Sequence, residues 1–310
     1  MKPYFSVIIV NFNLSGEVKG CINSFLSNEK KCNYEIIVVD NASTEVDANF
    51  LPKEFPQSIF PQISFYFLEE NRGFGAGNNF GVSKAKGEII FLLNPDALFI
   101  EEILSSVEDL LINHEKIGVL GTKIVNKQNT PEKSCGVFPS LALEFLEIFL
   151  LKRKFEEKVL KRKMKAGEKT YLEVDWVTGS SMFIPKRIYN EVCGFDENFF
   201  LYNEEVDLCY RIKQLGYEIT FYPSVQIKHF GSVGSKKNYY LFTKYSYESK
   251  LIYLNKHFFI PKIFFFRACV AFQIIVQIII WSLLMFKDGK KSKEKLRAFG
   301  PILLKTITNR

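Results

Sequence analysis

Residues 87–99 read "GEIIFLLNPDALF". Apolar character running from Glu88 to Leu93 breaks at Asn94-Pro95-Asp96, after which apolar residues resume. A run without polar alternation suits a strand buried on both faces. Its ending places the Asp96 carboxylate where the strand surfaces. The same pattern recurs on either side. "FSVIIV" (5–10), "YEIIVVD" (34–40), "ISFYFL" (63–68) and "IGVLG" (117–121) predict further strands, and 16–27, 74–86 and 100–113 carry helical spacing. Apolar strands separated by helices predict a parallel sheet covered on both faces. Ligands of such sheets bind beyond the carboxyl ends of the strands. Asp40 and Asp96 both stand at such ends.

The bulk numbers agree with a folded protein. With 310 residues, 47% hydrophobic and 24% charged, the chain can bury one large core or two, and disorder is excluded. The net charge of +7 is concentrated in blocks, "LKRKFEEKVLKRKMKAGEK" (151–169) and "KDGKKSKEKLR" (287–297). Lysines beside apolar sequence point to an anionic membrane surface, not to nucleic acid. A solvated helix face explains the first block equally well. The six cysteines show no zinc-like or redox spacing, and Cys193 and Cys209 read as buried thiols. The apolar run of the N-terminus is too short for a signal peptide and ends at Asn11, so folding in the cytoplasm is expected.

Organisation changes after residue 121. Residues 1–121 form the first half, 122–170 an insertion or lid, and 171–256 a second ordered half, with 238–256 helical. Residues 257–310 form a C-terminal helical tail. Its 19-residue stretch "ACVAFQIIVQIIIWSLLMF" would span about 28 Å as a helix, close to a hydrocarbon core of roughly 30 Å. Gln273 and Gln277 share a face, and this polar stripe favours a helix lying in the interface; a core helix or an oligomer contact is the alternative.

Individual motifs are each ambiguous. "NRGFGAGNNFG" (71–81) fails dinucleotide-loop spacing and lacks a phosphate-loop lysine, leaving a glycine-rich turn that opens a helix. Asp40 and Asn41 in "VVDNAST" either cap a helix or meet a base or ribose. Asn94-Pro95-Asp96 is good turn chemistry, and Asp96 could cap the helix expected from residue 100. In "FFLYNEEVDLCYRIKQLGY" (199–217), Asn203 is the expected N-cap, and Leu208, Ile212 and Leu215 form an apolar stripe. Asp207 and Arg211 fall opposite as an i,i+4 pair. Glu204 sits at the edge of the stripe, whereas Glu205 turns inward, so burial should raise its pKa and suit it to proton abstraction. His229 lies between an apolar strand and a glycine-rich loop.

Taken in order, "VIIVNFN", "VVDNAST", "NRGFGAGNN", "NPDA", "VDWVTGSSMFI", "GFDENFFLYNEEVDLCYR" and "HFGSVGS" resemble inverting family 2 glycosyltransferases of the GT-A fold, most of all rhamnosyltransferase-like members. The resemblance implies a Rossmann-like mixed α/β sheet flanked by helices over residues 1–256, with the C-terminal helical segment membrane-associating. It implies that Asp96, with Asn94 in place of the usual first acid, holds Mg²⁺ or Mn²⁺ together with His229. Asn11, Asp40, Asn41, Arg72, Gly73 and Asn78 match the donor-nucleotide side, and Trp176, Gly179 and Ser180 the acceptor side. Glu204-Glu205 stand at the catalytic acid pair, with Glu205 as base. The implied activity is transfer of a sugar, rhamnose among the candidates, from a dTDP- or UDP-sugar to a glycan or lipid-linked acceptor at the inner face of the plasma membrane. Alternatives are a UDP-hexose or UDP-N-acetylhexosamine transferase, and a catalytically silent sugar-nucleotide-binding subunit.

Overall fold

The computed structural model describes residues 3–166, 170–229 and 238–308. The chain forms two compact units. Unit 1 comprises Met1–Val137, Ala166–Glu197 and Glu204–Gly231; unit 2 comprises Phe138–Lys165, Asn198–Asn203 and Ser232–Arg310.

Unit 1 opens with β1 (Phe5–Asn11), α1 (Ser15–Asn28), β2 (Tyr34–Asp40), α2 (Glu45–Ala48), α3 (Phe50–Glu54) and β3 (Ile63–Phe67). There follow α4 (Phe74–Lys84), β4 (Ile89–Leu93), β5 (Ala97–Phe99), α5 (Leu104–Asn113), β6 (Ile117–Val125) and β7 (Cys135–Gly136). Two helices of unit 2, α6 (Leu141–Ile148) and α7 (Lys152–Ala166), interrupt it. The sheet then resumes with β8 (Leu172–Val174), β9 (Trp176–Val177) and β10 (Ser181–Pro185), then α8 (Lys186–Glu191), α9 (Glu204–Gln214) and β11 (Glu218–His229).

The main sheet has the order β3-β2-β1-β4-β10-β6-β11-β5, with β8 also on β11. The first four strands are parallel, as their unbroken apolar runs predict. Beyond them the sheet is mixed: β10 runs antiparallel between β4 and β6, and β5 antiparallel to β11. The wholly parallel sheet read from strand pattern alone is therefore corrected, and the mixed sheet implied by the resemblance is what forms.

Packing explains the glycine-rich motif. Gly73 has φ +92°, the left-handed region that turns the chain into α4. Farther along α4, a Cβ on Gly77 would lie 2.8 Å from Val10 and one on Gly81 only 2.4 Å from Ile8. These glycines let the helix backbone press against β1, and the fully buried Ile8 fills the space a side chain would take.

Other expectations need revision. Asp96 caps no helix, because residues 97–99 are a strand and α5 begins at Leu104. The free N–H groups there are taken by Glu29, whose carboxylate accepts from Ile103 (2.7 Å) and Leu104 (3.3 Å). Cys193 is exposed, since it sits in a left-handed turn (φ +59°) after α8. Leu215 is exposed as well, so the apolar face of α9 ends at Ile212. Asp207, expected on the outer face, is fully buried, and its partner Arg211 (2.8 Å) also donates to the carbonyls of Val192 and Gly194. Asn203 has φ +61° and precedes the helix in a left-handed conformation, outside the usual N-cap geometry.

Unit 2 contains α6, α7, α10 (Tyr239–His257), α11 (Ile260–Leu283) and α12 (Gly289–Thr308). Leu254 of α10 packs with Phe266, Val270 and Ile274 of α11 and with Ala298, Phe299 and Ile302 of α12. The sequence boundary at residue 256 thus falls inside a helix that shares its core with the tail. The expected insertion also divides, with 122–137 joining the sheet and 138–165 joining the C-terminal helices. The segment from Pro261 to Phe286 is long and apolar enough to cross a membrane.

Replacing Gly81 by Ala should cost about 1–3 kcal/mol through overpacking against Ile8. Gly16→Ala in α1, with open space at its Cβ position, should leave stability unchanged or raised. Thermal midpoints of the two variants check the contrast.

Candidate active site

Two strand registers assemble the centre of the site. The antiparallel pairing of β5 with β11 sets His229 opposite Ala97, the residue after Asp96. His229 Nε2 consequently lies 3.0 Å from Asp96 Oδ1 and 3.2 Å from Asn94 Nδ2. The turn holding Asp96 is closed by the Ala97 N–H on the Asn94 carbonyl (3.2 Å), which is the role expected of Asn94-Pro95-Asp96. Glu132 approaches the other ring nitrogen of His229 at 3.5 Å. Burial works to lower the His229 pKa, but the hydrogen bond and charge of Asp96, with those of Glu132, outweigh it and raise the pKa.

The second register, β1 on β2, puts Asn11 beside Asp40. Asn11 Nδ2 donates to Asp40 Oδ2 (2.8 Å) and Asp47 Oδ1 (3.0 Å), while Asp40 Oδ1 accepts from the Ser43 N–H (2.8 Å). Asn41 ties the end of β2 to the glycine-rich turn, donating to Asn71 Oδ1 and the Gly73 carbonyl, both at 3.0 Å. Arg72 is held by Glu197 at 2.7 Å and remains half-exposed. Asn78 is buried with its amide on the Phe74 carbonyl (2.9 Å), and turns into the helix rather than outward.

Glu204 and Glu205 begin α9, which Leu208, Cys209 and Ile212 anchor in the core. In each glutamate, Oε2 is buried and lacks a hydrogen-bond partner among the described residues. Burial, with the neighbouring charge of Glu205, pushes the Glu204 pKa well above the usual carboxylate range. Burial also raises Glu205, to about 6, while the N–H groups of Glu205 and Val206 and the charge of Lys133 pull it back. Glu204 is the more buried residue and Glu205 only half-buried, the reverse of the order expected from the helix wheel, and burial favours the neutral form of both.

The segment before β10 links this pair to the metal-side cluster. A Cβ on Gly179 would lie 3.7 Å from Glu205 Cβ, an ordinary contact, and 3.2 Å from the Phe74 ring, so Gly179 packs directly beside both residues. The next residue, Ser180, accepts through its carbonyl from the Asn94 N–H (3.1 Å). Trp176 donates from Nε1 to the Val137 carbonyl (3.0 Å), with Lys133 lying 5.0 Å from its ring. Asp47, Glu132 and Lys133 escaped the sequence reading. Asp47 sits in the single-turn helix α2 and Glu132-Lys133 in the connection after β6, and only folding brings them to Asn11, His229 and Glu205. Residues 230–235 of the last motif lie outside the described residues.

Asp96 and His229 are the donors here that could hold a divalent cation. Among the described residues no group of three or more His, Cys, Asp or Glu side chains is arranged to hold a metal alone. Asp96 and His229 supply two donors 3.0 Å apart. Adjacent ligands on an octahedral cation, each about 2.1 Å from it, are separated by about 3 Å.

Residues 6–169 match the family described as "Glycosyl transferase family 2". The chain belongs to that family. It is 25% identical over 231 residues to a low-salt glycan biosynthesis hexosyltransferase of Haloferax volcanii, covering 69% of this chain and 63% of the relative. Over 210 residues it is 23% identical to N-acetylglucosaminyl-diphospho-decaprenol L-rhamnosyltransferase of Mycobacterium tuberculosis, covering 63% of this chain and 66% of that one. The chain thus spans slightly less than two thirds of these relatives. Among solved structures, a mannosyltransferase from Pyrobaculum calidifontis in complex with GDP-Man and Mn²⁺ superposes with TM-score 0.61 at 14% identity, covering all of this chain and 88% of that one. That likeness supports the GT-A fold.

Asp96→Ala and His229→Ala should each abolish Mn²⁺-dependent binding of nucleoside diphosphate, measured by titration calorimetry with and without chelator. Unchanged heats would remove either residue from the metal site.

Proposed function

We propose that this family 2 glycosyltransferase is an inverting enzyme that moves a hexose or deoxyhexose from a nucleoside-diphosphate sugar to a hydroxyl of a lipid-linked glycan. The observation that carries the reading is the buried Glu204-Glu205 pair, joined through Gly179 and Ser180 to the Asn94–Asp96–His229 cluster. Glu205, carrying its charge above about pH 6, takes the proton from the acceptor hydroxyl, whose oxygen displaces the nucleoside diphosphate in one step. Glu204 stays protonated beside it, which limits repulsion of the anionic donor. Asp96 and His229 hold Mg²⁺ or Mn²⁺, which when bound offsets charge developing on the leaving diphosphate. Asn11, Asp40 and Asn41 are assigned to the base and ribose, a role supported by their hydrogen-bonded position at the ends of β1 and β2, with Arg72 beside Asn41. The mycobacterial relative, which transfers L-rhamnose to N-acetylglucosaminyl-diphospho-decaprenol, supports a lipid-linked acceptor and rhamnose as the leading donor sugar. The Haloferax relative, a hexosyltransferase of glycan biosynthesis, supports a glycan acceptor.

Glu205→Gln should lower turnover by about 10²–10⁴-fold while nucleotide-sugar binding persists, measured by nucleotide release and calorimetry on one preparation. Retained turnover would remove Glu205 as base. For the unsubstituted enzyme, kcat/KM should fall about tenfold per pH unit below about 6, because protonation silences the Glu205 carboxylate, and level off above it. A profile flat from pH 5 to 7 would count against this assignment, on the same pKa argument.

A further inference from the structure

We infer that unit 2 is a monotopic membrane dock: the outer face of α11 and the α6–α7 corner lie in the plane of an anionic bilayer surface, and α11 does not span it. The inference concerns unit 2 alone and does not rest on the proposed transfer reaction.

The first observation is an inverted distribution of polarity on α11. Gln273 is buried and donates to the Glu144 carbonyl (2.7 Å) and carboxylate (3.1 Å) of α6. Gln277 accepts from Trp281 Nε1 at 3.1 Å. The polar stripe that suggested a water-facing side is therefore turned toward protein groups and satisfied there. What α11 and the turn after it expose is Phe264, Phe272, Ile275, Ile279, Leu283 and Phe286, spaced at helical pitch along one side. A continuous apolar face on a helix whose polar atoms are satisfied inward suits contact with lipid. The α6–α7 corner adds exposed Phe145, Phe149 and Phe155.

Charge specifies the occupant. Arg153, Lys154, Lys158 and Lys161 are exposed on α7, and Lys287, Lys290 and Lys293 are exposed just beyond the other end of α11. Trp281 packs inward against the core of the unit, so the aromatic contribution to the outer face comes from the phenylalanines. Basic residues flanking an apolar face favour anionic lipids.

Geometry excludes a span. Gln273 is close to the middle of α11, and the groups meeting it there are charged: Lys250 Nζ is 2.5 Å from the wholly buried Glu144 carboxylate, with Lys152 at 3.7 Å. A transmembrane α11 would carry that ion cluster and two attached helices to the bilayer centre, where charged groups are strongly disfavoured. Lying flat, the helix keeps the cluster on the protein side and only its apolar face in lipid.

The full chain, purified and added to preformed vesicles, tests this by flotation. It should float with vesicles of phosphatidylcholine containing phosphatidylglycerol and much less with phosphatidylcholine alone. Phe272→Glu combined with Ile279→Glu should cut the floated fraction by about tenfold or more. Lys290→Glu combined with Lys293→Glu should cost about tenfold on anionic vesicles only. Unchanged thermal midpoints would show that both variants fold. Washing the floated vesicles with high salt followed by alkaline carbonate should release the bound protein; retention through both washes would mean a span and overturn the proposal. Wild-type protein that ignores vesicles and sediments as a dimer broken by Phe272→Glu would make the face a self-association surface, which also overturns it.

Discussion

The short antiparallel pairing of β5 with β11 is the constraint on which the site depends. Three residue pairs suffice to bring His229, more than a hundred positions downstream, against Asp96. A slip of one residue would turn the alternating side chains to opposite faces and separate the two. The same pairing closes the sheet edge beside β11, so the metal-side cluster forms on the frame that completes the fold.

The acidic residues differ in how they are partnered. Asp40 and Asp47 accept hydrogen bonds from amide, hydroxyl and main-chain donors, and Arg72 is steadied by Glu197. Glu204 and Glu205 lack such partners on Oε2, and burial raises both. Groups whose hydrogen bonds are complete hold the loops in place, whereas groups left incomplete are available for chemistry. The glycines divide labour in a related way. Gly77 and Gly81 allow α4 to approach β1, and Gly179 packs beside Phe74 and Glu205.

Unit 2 follows a different rule. Its α11 directs amides inward and aromatic rings outward, the reverse of a helix on a water-facing surface. The buried Glu144–Lys250 pair joins α6 to α10, and Gln273 joins both to α11. Such a pair contributes more to fixing the relative positions of these helices than to net stability.

Much of this was legible in the chain itself. The strands at 5–11, 34–40, 63–67 and 89–93 were readable from apolar runs, and α1 and α4 from helical spacing, because buried strands and half-buried helices leave periodic marks on local sequence. The ordered motifs identified the family and drew attention to Asp96 and His229, which the fold then brings together. Strand order was not legible, nor was the membership of α10 and 138–165 in the C-terminal unit, because pairing partners far apart in the chain leave no local period. Glu132, Lys133 and Asp47 were equally silent, as a charge on the surface of a short element or connection has no pattern until a distant neighbour arrives. Gln273 shows the limit most clearly: sequence established that one side of α11 is polar, but only tertiary packing decided that this side faces Glu144, since a helix wheel fixes relative directions and says nothing about where the core lies.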